Sequence, residues 1–309
     1  MRLKNRAVSV GPFDSTAQSR GLLRILTAYL ALMKPRIIVL LLITAVGAMF
    51  LAADGFPPVS ALIATLIGGT LGAGGASAIN NYFDRDIDRL MPRTATRPVP
   101  SGWISPGAAL TFGISLLALS FVVLSWGANV LAASLMLAGG LFYVFIYTGW
   151  LKRSSIHNIV IGGAAGAVPP LVGWAAVTGS LGLLPILLFL IIFFWTPPHF
   201  WALSLILKEE YEHAQVPMLP VIRGERETRW QILIYSVILT GLSLAPALFG
   251  LLGPWYLAMA GALSGGLLFL AARLVHSGSR KQASVLFRYS LAYLALLFTA
   301  MVIDRVLLR

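Results

Sequence analysis

Residues 59–79 read Val-Ser-Ala-Leu-Ile-Ala-Thr-Leu-Ile-Gly-Gly-Thr-Leu-Gly-Ala-Gly-Gly-Ala-Ser-Ala-Ile, and the chain continues Asn80-Asn-Tyr-Phe-Asp84-Arg-Asp86-Ile-Asp88-Arg89. The first stretch carries no charge and, at a helical rise of about 1.5 Å per residue, is long enough to cross a hydrocarbon core of roughly 30 Å. Similar apolar runs recur at about 37–53, 107–125, 128–148, 155–177, 180–198, 231–250, 255–274 and 285–303. The expectation is an all-α polytopic membrane protein of nine transmembrane helices. Gly68, Gly69, Gly72, Gly74 and Gly75 inside the quoted run allow helices to approach closely.

Composition agrees with this reading. Of 309 residues 58% are hydrophobic and 11% charged, with a mean hydropathy of +0.85. A soluble domain is about a quarter charged, so a soluble globule is excluded. Residues 21–309 are read as one transmembrane domain and residues 1–20 as a flexible cytoplasmic segment, which lacks the compact apolar core of a cleavable signal. No cysteine is present, which removes disulfides, thiolate catalysis and thiolate-ligated metals. A net charge of +12 would suggest nucleic acid in a soluble protein. Here the loops account for it. Lys and Arg crowd the N-terminal segment and residues 80–104, 152–153, 199–230 and 273–288, whereas the alternate loops near 54–58, 126, 179 and 251–254 carry none. That asymmetry places the N-terminus and the charged loops in the cytoplasm and the C-terminus outside, in a bacterial inner membrane. Residues 22–36 read either as an interfacial helix or as an extension of the first span.

Asn80, Asp84 and Asp88 are spaced at four. Each such step drifts only about 40° around a helix, so the three share one face at the end of the second span. Asp86 points elsewhere, toward Arg89 or water. Two carboxylates and an amide oxygen are hard ligands, too few to enclose a cation, which suits Mg²⁺ shared with phosphate oxygens. Arg93, Arg97, Lys152 and Arg153 supply cations for a diphosphate. The competing reading is a solvated loop held by local ion pairs.

These residues resemble the UbiA superfamily of intramembrane prenyltransferases, whose first motif is Asn-x3-Asp-x3-Asp followed by Arg-x3-Arg-Pro. Asn80, Asp84, Asp88, Arg93, Arg97 and Pro98 match it. Two further stretches are similar to the heme-modifying branch of that superfamily. One is Tyr147-Thr-Gly-Trp-Leu-Lys152-Arg153 with Asn158-Ile-Val-Ile-Gly-Gly and Pro169-Pro-Leu-Val-Gly-Trp174. The other is Thr196-Pro-Pro-His199-Phe-Trp-Ala-Leu with Lys208-Glu209-Glu210-Tyr211 and Pro217-Met-Leu-Pro220. Quinone-pathway members carry a second Asp-x3-Asp after the sixth span, where this chain has Glu209, Glu210 and Glu212 and no aspartate. That departure favours the heme branch and leaves the ligands of a second metal open.

The resemblance implies transfer of a farnesyl group from farnesyl diphosphate to a vinyl group of heme B, giving heme O and diphosphate. Mg²⁺ on Asp84, Asp88 and Asn80, aided by Arg97 and Lys152, would neutralise the departing diphosphate. Arg93, Arg153, Tyr147, Asn158, His199, Lys208, Glu209 and Glu210 are the expected substrate contacts. Tyr82, Phe83, Tyr143 and Tyr147 offer ring faces to an allylic cation, and water must add to the alkylated vinyl carbon. Heme enters as substrate, since no Cys-x-x-Cys-His site or closely spaced His pair exists. His199, beyond a helix break expected at Pro197-Pro198, is the first candidate for heme iron and His157 a weaker one. His199 bonded to a backbone carbonyl is the competing reading, and His213 and His276 read as solvated. Expected partners are the two substrates, the lipid bilayer and a downstream heme-modifying enzyme or oxidase assembly factor. The alternatives are a prenyltransferase acting on a phenolic or quinone precursor and, more distantly, a non-catalytic transporter. Transport would place ionisable groups near the bilayer midplane, whereas here they cluster at one face.

Overall fold

The computed structural model describes residues 15–308. Among the described residues nine helices are long and apolar enough to cross a membrane, and there is no strand. They are α2 (Pro35–Ala53), α3 (Val59–Phe83), α5 (Pro106–Gly127), the composite span Val130–Ser154, α8 (Asn158–Thr178), α9 (Leu183–Ile206), α12 (Gly224–Leu248), α13 (Pro254–Ser277) and α14 (Arg280–Leu307). The composite span joins α6 (Val130–Leu141), a π-helical segment (Phe142–Leu151) and α7 (Lys152–Ser154). Short helices α4 (Arg85–Leu90), α10 (Lys208–His213) and α11 (Leu219–Ile222) lie in the connections. The expected nine-helix architecture is therefore present, and the protein is an integral membrane protein.

Ahead of the first span stands a separate helix, α1 (Ser15–Met33). The chain passes from it into α2 through Lys34, whose φ of 58° breaks the helix. Residues 22–36 are thus not an extension of the first span. Residues 15–20, expected to be flexible, are helical, and residues 1–14 of that segment lie outside the described residues.

Three boundaries move for physical reasons. Span two runs to Phe83 rather than 79. Span seven begins at Gly224 rather than 231, with Glu225 and Glu227 in a first turn whose unpaired amides favour acids. The break expected at Pro197-Pro198 does not occur: α9 continues through both prolines to Ile206. Backbone groups inside a bilayer have no water to turn to, so the helix is kept wherever its remaining bonds can form. The Thr196 hydroxyl donates to the Ile192 carbonyl at 2.8 Å, one turn before the prolines.

The two ends of the bundle differ. At the end away from the acid row, Asp54 pairs with Arg305 at 2.8 Å. Asp304 accepts from the amides of Gly253 (2.6 Å) and Tyr256 (3.1 Å) at the start of α13. The start of α14, the ends of α3 and α9 and the start of α8 gather at the other end, where Arg280 pairs with Glu209. Close packing of α3 on α5 requires glycine: a Cβ on Gly75 would stand 2.7 Å from the Gly113 carbonyl oxygen, and one on Gly113 2.8 Å from that of Gly75. We therefore expect Gly75→Val to lower the melting temperature of the detergent-solubilised protein, at a cost of about 1–3 kcal/mol. Gly107→Ala, which meets open space, should leave it unchanged or slightly raised.

Candidate active site

The acid row forms because the helix hardly pauses at its end. α3 stops at Phe83, yet the Asp84 amide bonds the Asn80 carbonyl at 2.9 Å and the Asp88 amide bonds the Asp84 carbonyl at 2.8 Å. The four-residue register therefore runs on into α4, and Asn80, Asp84 and Asp88 share a face as the spacing requires. All three are withdrawn from water, at 2%, 1% and 2% exposure, whereas the Asp86 side chain is 62% exposed.

Each member of the row holds a base. Lys152 Nζ donates to Asp84 Oδ2 at 2.5 Å. Arg97 Nη1 donates to both oxygens of Asp88, at 2.9 and 2.8 Å. Lys34 Nζ donates to Asn80 Oδ1 at 2.7 Å. The Asn80 amide nitrogen in turn donates to Asp84 Oδ2 (2.8 Å) and to Thr148 Oγ1 (3.0 Å). Burial, with Arg97 and Lys152 close by, lowers the Lys34 ammonium from its usual value to about 7.

Two of these partners, Thr148 and Lys34, do not stand out in the sequence. Thr148 lies on the π-helical segment and Lys152 directly follows it, its amide reaching back five residues to the Tyr147 carbonyl. Such segments are rare and concentrate at functional sites, and no periodicity in residues 142–151 announces one. Lys34 falls in the stretch 22–36 that reads either as an interfacial helix or as an extension of the first span. Its visible signal is its place immediately before Pro35, where proline at a helix start leaves one fixed side chain at the rim.

Asp86 pairs with Arg153 rather than with Arg89 or water, through two bonds of 2.7 Å. Arg153 also donates to the Phe83 carbonyl and holds the Asp86 carboxyl well below the usual range. Arg153 is thus turned to the outer side of the helix. Arg93 is exposed on the loop that carries Arg97, within electrostatic reach of Tyr211. Lys208 reaches Glu225 at 3.5 Å and Glu209 is exposed beside Arg280. Asn158 is fully buried and donates to the Pro217 carbonyl at 3.3 Å, fixing the start of α8 to the loop before α11.

Tyr147 stacks on Tyr143, centroids 5.5 Å apart, on the segment that delivers Thr148. Tyr82 and Phe83 face outward into an apolar groove of about 810 Å³ between α3, α5 and the composite span, and that groove includes none of the ion-paired residues. Arg85 lies over the Tyr82 ring at 4.6 Å.

His199 is sandwiched between Trp195 and Phe287, at centroid distances of 4.3 and 4.6 Å. Its Nδ1 lies 2.7 Å from Ser290 Oγ, not on a backbone carbonyl. The Ser290 hydroxyl also lies 2.7 Å from the Phe287 carbonyl, and when it donates there it accepts from His199 Nδ1–H. The neutral ring then carries its lone pair on Nε2.

Among the described residues four buried amide or carboxylate oxygens face no donor and mark acceptor capacity: Asn81 Oδ1, Asp84 Oδ1, Asn158 Oδ1 and Glu210 Oε2. Among the described residues no three acidic, histidine or cysteine side chains converge as a closed metal cage. A hard cation here would rest on Asp84 and Asp88 and complete its shell with other oxygens, as Mg²⁺ does with phosphates and water. The donor set fits that ion.

Comparison with known proteins agrees with this geometry. The model of the UbiA prenyltransferase family matches residues 40–298. A Roseiflexus sp. (strain RS-1) protein called protoheme IX farnesyltransferase is 53% identical over 91% of this chain and 53% of its own length. One of the same name from Symbiobacterium thermophilum is 50% identical over 93% of this chain and 98% of its own. The chain thus spans about half the length of the first of these relatives and nearly all of the second. In fold it is similar to a solved structure concerned with digeranylgeranylglyceryl phosphate synthase, with a TM-score of 0.77 at 20% identity over 91% of this chain and 99% of that one. It is also similar to an Archaeoglobus fulgidus UbiA homolog bound to DMAPP and Mg²⁺, with a TM-score of 0.67 at 18% identity over 88% and 98%. A nine-helix bundle with a buried Asn-Asp-Asp row at one rim, matched over most of its length by that family's model, belongs to the UbiA prenyltransferase family.

Proposed function

We propose that this chain transfers a farnesyl group from farnesyl diphosphate to a vinyl group of heme B, giving heme O and diphosphate. The observation that carries the reading is the buried row of Asn80, Asp84 and Asp88 with a base on every member. Likeness to the Symbiobacterium protein along nearly its whole length supports heme B as the acceptor.

In this reading Asp84 and Asp88, with Asn80, hold Mg²⁺, which supplies Lewis-acid neutralisation of the leaving group. Arg97 and Lys152 stand at the same place as fixed positive charge that needs no reorganisation as the diphosphate departs. The carbon–oxygen bond of the farnesyl ester breaks with its electron pair staying on diphosphate. The vinyl group attacks the allylic cation, and the benzylic-type cation left on the porphyrin side takes up water and loses a proton. The stacked Tyr143 and Tyr147 present ring faces of the kind that favour a cation. His199 Nε2, with its lone pair outward from the Ser290 bond, is the group suited to heme iron. Asn158 and Glu210 bring unpartnered oxygens to the same end of the bundle, and Arg93, exposed on its loop, suits an incoming diphosphate. That end faces the cytoplasm of a bacterial cell, the C-terminus lies outside, and product passes to a heme-modifying enzyme or an oxidase assembly factor.

Two experiments test the reading. Purified protein given farnesyl diphosphate with either heme B or 4-hydroxybenzoate should yield heme O by product mass and no prenylated phenol. Prenylated phenol without heme O would replace it by the quinone-precursor alternative. Asp84→Ala or Asp88→Ala should lower turnover at least about a hundredfold with membrane insertion intact. Asp86→Ala, which removes only an exposed ion pair worth about 0–1 kcal/mol, should retain turnover within about threefold. Product formation by the Asp84 variant at the normal rate would remove the metal-site assignment.

A further inference from the structure

The junction of α1 and α2 brings a third base to the acid row, and the mechanism above assigns it no task. Lys34 adopts φ 58° and ψ 63° immediately before Pro35. A non-glycine residue in that region is strained by about 1–3 kcal/mol and persists only where its surroundings over-determine it. Both flanks do so here. Leu32 is fully buried and its carbonyl accepts from Asn81 at 3.3 Å, while Pro35 begins α2. The strained residue aims its ammonium at Asn80 Oδ1. Every candidate ligand side chain thus holds one base: Lys34 on Asn80, Lys152 on Asp84 and Arg97 on Asp88.

We infer that Lys34 is a diphosphate-binding residue, and that Lys34, Lys152 and Arg97 exchange partners as a set, giving up the ligand oxygens to a divalent cation and turning to the diphosphate. The inference rests on the prenyl-diphosphate reading above. Charge balance argues for it. With all three bases protonated, as a bound anion favours, three bases against two acids put the cluster at about plus one. A divalent cation alone raises that to about plus three, and a diphosphate with about three negative charges alone takes it to about minus two. Uncompensated charge in a buried site costs several kcal/mol per ion, whereas both guests together bring the cluster to about zero. Each guest therefore strengthens the other, and by linkage the enhancement is reciprocal. Lys34 is needed for this balance, since without it the doubly occupied site would fall to about minus one.

Isothermal titration of the full-length protein in detergent, with Mg²⁺ and inorganic diphosphate as the probes, tests this directly. In the wild type each probe should tighten the Kd of the other by about tenfold or more. Lys34→Met should weaken diphosphate binding in saturating Mg²⁺ by about tenfold to a hundredfold while binding Mg²⁺ alone no worse, because Asn80 Oδ1 is released. Lys34→Gln keeps a donor for Asn80 but no charge and should lose diphosphate affinity as the Met variant does, with Mg²⁺ binding alone close to wild type. Lys34→Arg should stay within roughly threefold of wild type. Wild-type affinity for diphosphate in Lys34→Gln would overturn the inference and leave Lys34 as a strut for Asn80. Parallel loss of Mg²⁺ and diphosphate binding in both uncharged variants would also overturn it. A wild-type protein that binds neither probe, singly or together, would instead sink the prenyl-diphosphate reading and the role of Lys34 with it.

Discussion

A carboxylate buried at the rim of a membrane bundle persists only with positive charge against it, and the architecture at this end of the molecule follows from that requirement. Asp84 and Asp88 are both almost wholly withdrawn from water. Removing the partner of such a charge costs about 3–5 kcal/mol. Their partners come from three separate stretches of chain: Lys152 from the end of the composite span, Arg97 from the loop beyond α4, and Lys34, through Asn80, from the α1–α2 junction. The row is therefore also a fastening. It ties elements far apart in sequence into one rim, and it keeps oxygen ligands dry without letting them ionise alone.

The rest of the bundle holds that rim still. Opposed glycines at 75 and 113 let α3 lie against α5. At the far end Asp304 bonds the start of α13 and Arg305 pairs with Asp54. Between them a polar cluster joins the last three spans: Tyr293 lies 2.7 Å from the Ser243 hydroxyl and 3.2 Å from that of Ser264, and Tyr256 donates to the Ser243 carbonyl. Inside a bilayer such bonds give small but specific contributions to helix association. Among the described residues the Asn80–Asp84–Asp88 row and its three bases lie together at one end, unlike a midplane transport site.

Much of this was legible in the residues. Charge-free runs and the one-sided distribution of Lys and Arg were enough for nine spans, because a bilayer leaves the backbone few options. The Asn80–Asp84–Asp88 face followed from helical spacing alone, and the outward aim of Asp86 with it. What escaped depends on local departures from regular structure. Lys34 works through a left-handed residue and Thr148 through a π-helical register, neither of which has a periodic trace. The double proline at 197–198 misled because proline usually ends a helix in water, whereas lipid keeps the helix going. Pairings such as Asp86 with Arg153 and His199 with Ser290 join residues remote in sequence, and no single chain displays them.

The central claim is that a divalent ion and a diphosphate share the Asp84–Asp88 row. The most direct measurement is a structure of the protein soaked with Mn²⁺ and a non-cleavable farnesyl diphosphate analogue, read by anomalous scattering. The account predicts a Mn²⁺ peak within bonding distance of carboxylate oxygens of both Asp84 and Asp88, with Lys152 and Arg97 turned to the phosphates. A peak elsewhere, or bound analogue with the Lys152–Asp84 and Arg97–Asp88 pairs unbroken, would contradict it.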